Sequence, residues 1–114
     1  MSGVRTQALL WYGQRVSGMV LALCVVVHLG VVIHAVRGGL TAAEILARTQ
    51  GNWAFGAFYS VFVIACAIHA PIGVATIVAE VSGGRGRKHL PIAPVLAVLI
   101  LVMGMRAVYA VVAP

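Results

Sequence analysis

Three apolar runs set the pattern of this chain. Val16–Val36 and Trp53–Ala79 contain no charged residue, and Leu90–Ala113 contains one, Arg106. Crossing a hydrocarbon layer about 30 Å thick takes about 20 residues of helix, and each run meets that length. The runs are continuous rather than alternating, which argues against the strands of a membrane β-barrel. The pattern predicts an all-α membrane protein with three transmembrane helices, over about 14–36, 53–80 and 90–113, in one domain spanning 1–114.

The polar segments punctuate these runs. Gly38-Gly39 stops the first helix. Thr41-Ala42-Ala43-Glu44 is a capping box, in which a hydroxyl and a carboxylate satisfy free backbone N–H groups. It predicts a short surface helix over about Ala42–Arg48, ended by Gln50-Gly51-Asn52. Trp11 and Tyr12, and then Trp53, Phe55, Phe58 and Tyr59, stand where interfacial aromatic anchors stand. Pro71 removes an N–H from the second helix and predicts a kink beside His69. Gly73, one turn from His69 on nearly the same face, leaves room for something flat and bulky. Pro91 and Pro94 suit the first turns of the third helix. Ser82–Lys88 is a glycine-rich basic loop that could meet anionic headgroups or an acidic partner surface.

Composition agrees with a lipid-embedded chain: 62% of the 114 residues are hydrophobic and 9% charged. The net charge of +6 points to membrane orientation rather than to nucleic acid, because the basic residues cluster at helix ends. Arg5, Arg15, Arg85, Arg87 and Lys88 lie on one side, and Arg37 and Arg48 on the other. The imbalance predicts an N-terminus and second loop in the cytoplasm, in a bacterial-type inner membrane. The first run is too long for a signal-peptide core and is expected to be a retained helix. Cys24 and Cys66 fall within spans and are expected to pack as small apolar residues. With no CxxC pair, covalent c-type haem attachment is excluded.

The chemistry-bearing residues are few. Glu44 and Glu80 are the only acids, and there is no HExxH, Walker loop, GxGxxG or Ser-His-Asp set, so a self-contained hydrolase or nucleotide enzyme is disfavoured. Electron transfer, transport and plain structural anchoring remain. His69, in Ile68-His69-Ala70-Pro71-Ile72-Gly73, and His28, which shares a stripe with Ser17, Leu21 and Cys24, are imidazoles at hydrocarbon depth, where a polar group calls for a use. Axial ligation of a haem iron is one such use. At 1.5 Å per residue each lies about 16–18 Å from the cytoplasmic helix ends. That depth would let both bind one haem, or each bind its own with a ligand from another chain. His34 and His89 are expected at interfaces. Arg106 either snorkels to the outer interface or pairs with a carboxylate such as a haem propionate.

At these residues the chain resembles the small three-helix membrane anchor subunits of succinate dehydrogenase and fumarate reductase. The His69 segment followed by Glu80 looks like the second-helix segment whose histidine ligates haem b. Glu80-Val81 stands where that family has Asp-Tyr, so the tyrosine that serves the quinone there is missing. Gln14-Arg15-Val16-Ser17-Gly18 looks like the family's His-Arg-Val-Ser-Gly opening. The spacing from Gly18 to His28 is similar to the first helix of two-haem fumarate reductase cytochromes. The resemblance implies haem b on His69, with His28 as a further axial ligand, and a quinone near Arg15 and Ser17. It also implies docking of iron–sulfur and flavoprotein subunits on the cytoplasmic face, and a second membrane anchor chain, different or identical. The function expected is electron transfer between the iron–sulfur subunit and the quinone pool. A b-type cytochrome anchor of another dehydrogenase or hydrogenase, or a haem-free structural or transport subunit, is the alternative.

Overall fold

The structure is a computed structural model that describes residues 2–83 and 92–114. Four helices follow in order: α1 (Ser2–Gly38), α2 (Ala42–Thr49), α3 (Trp53–Val81) and α4 (Ile92–Val112). α1, α3 and α4 are each long and apolar enough to cross a membrane, and there is no strand among the described residues. The basic stretch 84–90, with His89, and Pro91 lie outside the described residues.

α1 starts well before the expected residue 14. No proline interrupts the chain from Ser2 to Arg15, and Gln7, Ala8, Leu9 and Leu10 are good helix formers. Its 37 residues reach about 55 Å, so its N-terminal turns extend past a 30 Å slab. α4, with 21 residues, is about 31 Å long and matches that slab.

α3 is the central helix, packed against α1 on one side and α4 on the other. It continues through the buried Pro71 as one helix. Close approach depends on glycine, as in membrane helices that lack a hydrophobic drive to associate. At Gly104 an added Cβ would stand 2.6 Å and 2.8 Å from the two methyl carbons of Val63. At Gly56 it would stand 3.3 Å from Val112. Cys24 is buried and Cys66 half-buried, and both are free thiols.

The first loop closes one end of the bundle. The capping box forms as the sequence predicts: the Glu44 N–H donates to Thr41 Oγ1 at 3.2 Å, and the Thr41 N–H donates to Glu44 Oε2 at 3.0 Å. The Thr41 N–H, then its hydroxyl and the charge of Arg48 hold the Glu44 carboxyl below its ordinary pKa of 4.5. The last residue of α2 and the turn after it then satisfy carbonyls at the C-terminus of α4, which have no partner within their own helix. Thr49 Oγ1 donates to the Val111 carbonyl at 2.7 Å, and the Gly51 N–H donates to that of Val112 at 2.8 Å.

Candidate functional site

The antiparallel register of α1 and α3 decides which polar groups meet. Gly13 faces Ile68 and Ile72, Gln14 faces Gly73, Gly18 faces His69, and His28 meets Tyr59 and Phe62. His69 and His28 are therefore at different depths. Gly18 is level with His69, and His28 lies ten residues further along α1, about 15 Å away. The equal depth expected from counting residues does not hold. α3 continues eight residues past Gly73, alongside the part of α1 that precedes Gln14, because α1 reaches well beyond the expected start at residue 14. Two imidazoles on one metal need nitrogens about 4 Å apart, given metal–nitrogen bonds of about 2 Å. One haem cannot take both histidines of a single chain.

The half-buried His69 is held from one side. Its Nδ1 is 3.4 Å from Ser17 Oγ, and the Ser17 hydroxyl is also 3.2 Å from the Gln14 carbonyl. The Ser17 hydroxyl can donate to the Gln14 carbonyl, which only accepts, and its oxygen then accepts from His69 when Nδ1 carries the proton. In that tautomer the lone pair is on Nε2, as a metal ligand needs. Ser17 is only 4% exposed, and an added Cβ at Gly18 would lie 3.4 Å from His69 Cε1. The ring therefore rests against bare backbone.

His28 is held by a different partner. Its Nδ1 is 2.9 Å from the Tyr59 hydroxyl, and its ring packs edge-on against Tyr59 and Phe62. The Tyr59 hydroxyl can donate to Nδ1 or accept from it, according to the tautomer. This histidine has a structural use inside an aromatic cluster that also holds Phe55 and Phe58.

The remaining predicted residues separate. Arg15 is exposed, and its guanidinium lies 5.0 Å from the centre of the Trp11 ring. It is two residues from the buried Ser17, hence on nearly the opposite face of α1, and the two do not converge within one chain. Arg106 is exposed on α4, the far side of α3 from Ser17, and is closer in level to His28 than to His69. The space beside Gly73 is filled, since an added Cβ there would stand 3.3 Å from Gln14 Nε2.

Three features were not visible in the sequence. Gln14 Oε1 is buried with no hydrogen-bond partner; its place in the Gln-Arg-Val-Ser-Gly motif was the available signal. A cleft of about 550 Å³ opens between α1, α2 and α3 at the loop end, with His34, Arg48 and Asn52 on an apolar lining. A smaller apolar groove of about 240 Å³ runs past Gly13, Val16, Ser17 and Ile68. Pockets for drug-sized molecules measure about 300–1,000 Å³, so this groove is at most one wall of a larger site.

No group of three or more His, Cys, Asp or Glu able to hold a metal ion occurs among the described residues. A histidine axial to a haem requires no such cluster. No family model, curated protein or solved structure matches the chain.

Proposed function

We propose that this chain is a membrane anchor subunit of a succinate dehydrogenase or fumarate reductase type complex, carrying one haem b through His69 and handling quinone. The supporting observation is the contact of His69 Nδ1 with Ser17, itself bonded to the Gln14 carbonyl, which engages one ring nitrogen of an imidazole in an apolar span. His69 is half-buried and has a glycine opposite it, as a ring that must present one edge to a flat group requires.

When bound, the haem supplies one-electron redox chemistry. The chain's own residues do the holding. His69 would give the iron one nitrogen, with Ser17 orienting the ring and Gly18 leaving it room. His28 lies about 15 Å further along α1, so a second protein ligand to the same iron would come from another membrane chain.

Arg15 serves the quinone in this scheme. Its guanidinium is exposed on α1 within one turn of the level of Ser17, where it can donate to a quinone oxygen and favour the reduced, anionic form. Ser17 is buried and engaged, so its task is to hold His69. The succinate chemistry belongs to flavoprotein and iron–sulfur subunits on the cytoplasmic face, beneath the N-terminal turns of α1.

An oxidised and dithionite-reduced optical spectrum of the detergent-purified native complex tests the proposal, with haem quantified per chain. Bis-histidine b-type bands at one haem per pair of membrane chains are expected. A complex that is colourless with all its subunits present overturns the haem assignment and brings forward a structural or transport role.

A further inference from the structure

Arg106 is a full charge on a surface that otherwise suits lipid. It lies six residues inside the C-terminal end of α4, about 9 Å deep. Around it Val102, Met105, Tyr109 and Ala110 line a shallow groove, with Val102 52% and Tyr109 75% exposed. A guanidinium at hydrocarbon depth is costly unless it meets an opposite charge or reaches water.

Reaching water is hindered by helix geometry. Every Cα–Cβ bond of a helix tilts toward its N-terminus. For Arg106 that direction leads away from the nearer end at Val112 and toward Ile92, about 21 Å off. Snorkelling to lipid phosphate would work against the side chain's own direction.

This chain cannot supply the counter-charge. Its acids are Glu44 and Glu80. Glu44 is engaged by Thr41 in the surface cap. Glu80 is near the opposite end of the bundle: Gly104 lies beside Val63 and Val112 beside Gly56, so Glu80 is about 28 Å along the axis from Arg106. A second copy inserted the same way repeats these depths and brings no acid to the required level.

We propose that the Arg106 face of α4 is the docking surface for a second, chemically different membrane chain whose transmembrane helix carries an Asp or Glu at the depth of Arg106. The carboxylate pairs with the guanidinium, and Val102, Met105 and Tyr109 supply the apolar contact around it. This pairing uses the helix face opposite the α3 seam and does not depend on haem.

Site-specific photo-crosslinking in native membranes tests it, with a benzoylphenylalanine at Val102 and, as reference, at the exposed Val26 of α1. The Val102 probe is expected to capture a chain of distinct sequence, through a transmembrane peptide containing Asp or Glu. Arg106→Gln should lower that yield about tenfold or more, as removal of one member of a desolvated charge pair does, while Arg106→Lys retains most of it. Arg106→Glu combined with the partner's acid changed to Lys should restore it. Unchanged helicity and Val26 labelling show that each variant folds. Crosslinks confined to lipid or to a second copy overturn the proposal, as does a yield insensitive to Arg106→Gln.

Discussion

Ser17 Oγ lies 3.4 Å from His69 Nδ1 while its own proton is directed to the Gln14 carbonyl at 3.2 Å. In the tautomer protonated at Nδ1 the serine accepts from the histidine, and its removal frees the imidazole to take either tautomer. Ser17→Ala is expected to weaken haem retention about 10- to 100-fold, the usual range for groups that orient a metal-bound histidine. It should also shift the haem midpoint potential, which a packing defect alone would not do. Haem affinity and potential equal to the parent's would show that Ser17 has no positioning role.

The two half-buried histidines are expected to respond differently to replacement. His69→Ala should abolish the haem spectrum of the purified complex while the membrane chains still assemble. His28→Phe keeps the aromatic packing with Tyr59 and Phe62 and removes only the hydrogen bond, costing about 1 kcal/mol with haem content unchanged. Haem loss in His28→Phe and retention in His69→Ala would reverse the assignment. The same pair of spectra separates a one-haem from a two-haem complex.

The hydrophobic pattern made the three spans, the capping box and the loop between them legible, because each is a local property. Thr41 and Glu44 needed only their own spacing. The relation between helices was not local. His28 and His69 look equally deep when α1 is taken to start at residue 14, whereas α1 runs from Ser2 and meets α3 at Gly13, Gln14 and Gly18. The same limit hid the split between Arg15 and Ser17, which adjoin in the motif but face opposite ways. Tyr59 read as an interfacial anchor, and only the register shows it bonded to His28.

The α3–α4 seam is tightest at Gly104. A methyl at Gly104 would stand 2.6 Å from a Val63 methyl carbon, and the β-branched Val63 has little rotamer freedom in a helix with which to yield. Gly104→Ala is expected to destabilise the bundle by about 1–3 kcal/mol through overpacking, lowering the thermal transition in detergent. Removing the obstacle should reverse this, so Gly104→Ala with Val63→Ala should be more stable than Gly104→Ala alone. Two single-mutant effects that simply add would show that these residues are not in contact.

The cap on α2 carries a pH signature. Hydrogen bonds from the Thr41 N–H and hydroxyl hold the Glu44 pKa below 4.5, and the unfolded chain keeps the ordinary value. A carboxyl with a depressed folded pKa stabilises the folded form above its unfolded pKa and loses that contribution as pH falls through the folded one. The cap should therefore remain intact at pH 4.5 and weaken only below it. A carbonyl-carbon NMR titration of Glu44 should give a midpoint under 4.5, and Thr41→Ala should raise it. A midpoint at 4.5 in both would mean that the box is not formed.

Thr49 ties the loop to the end of α4, and its removal should loosen that end selectively. The side chain is 5% exposed and donates to the Val111 carbonyl at 2.7 Å. Valine has nearly the same shape and no donor, so Thr49→Val leaves packing intact and the carbonyl unpaired, at a cost of about 1–3 kcal/mol. The Gly51 N–H still holds the Val112 carbonyl, so the helix end should fray without detaching. Hydrogen exchange is expected to accelerate at the last turn of α4 and the turn after α2, and to stay unchanged around Ser17 and His69. Faster exchange throughout the bundle would show that this loop supports the whole fold rather than one helix end.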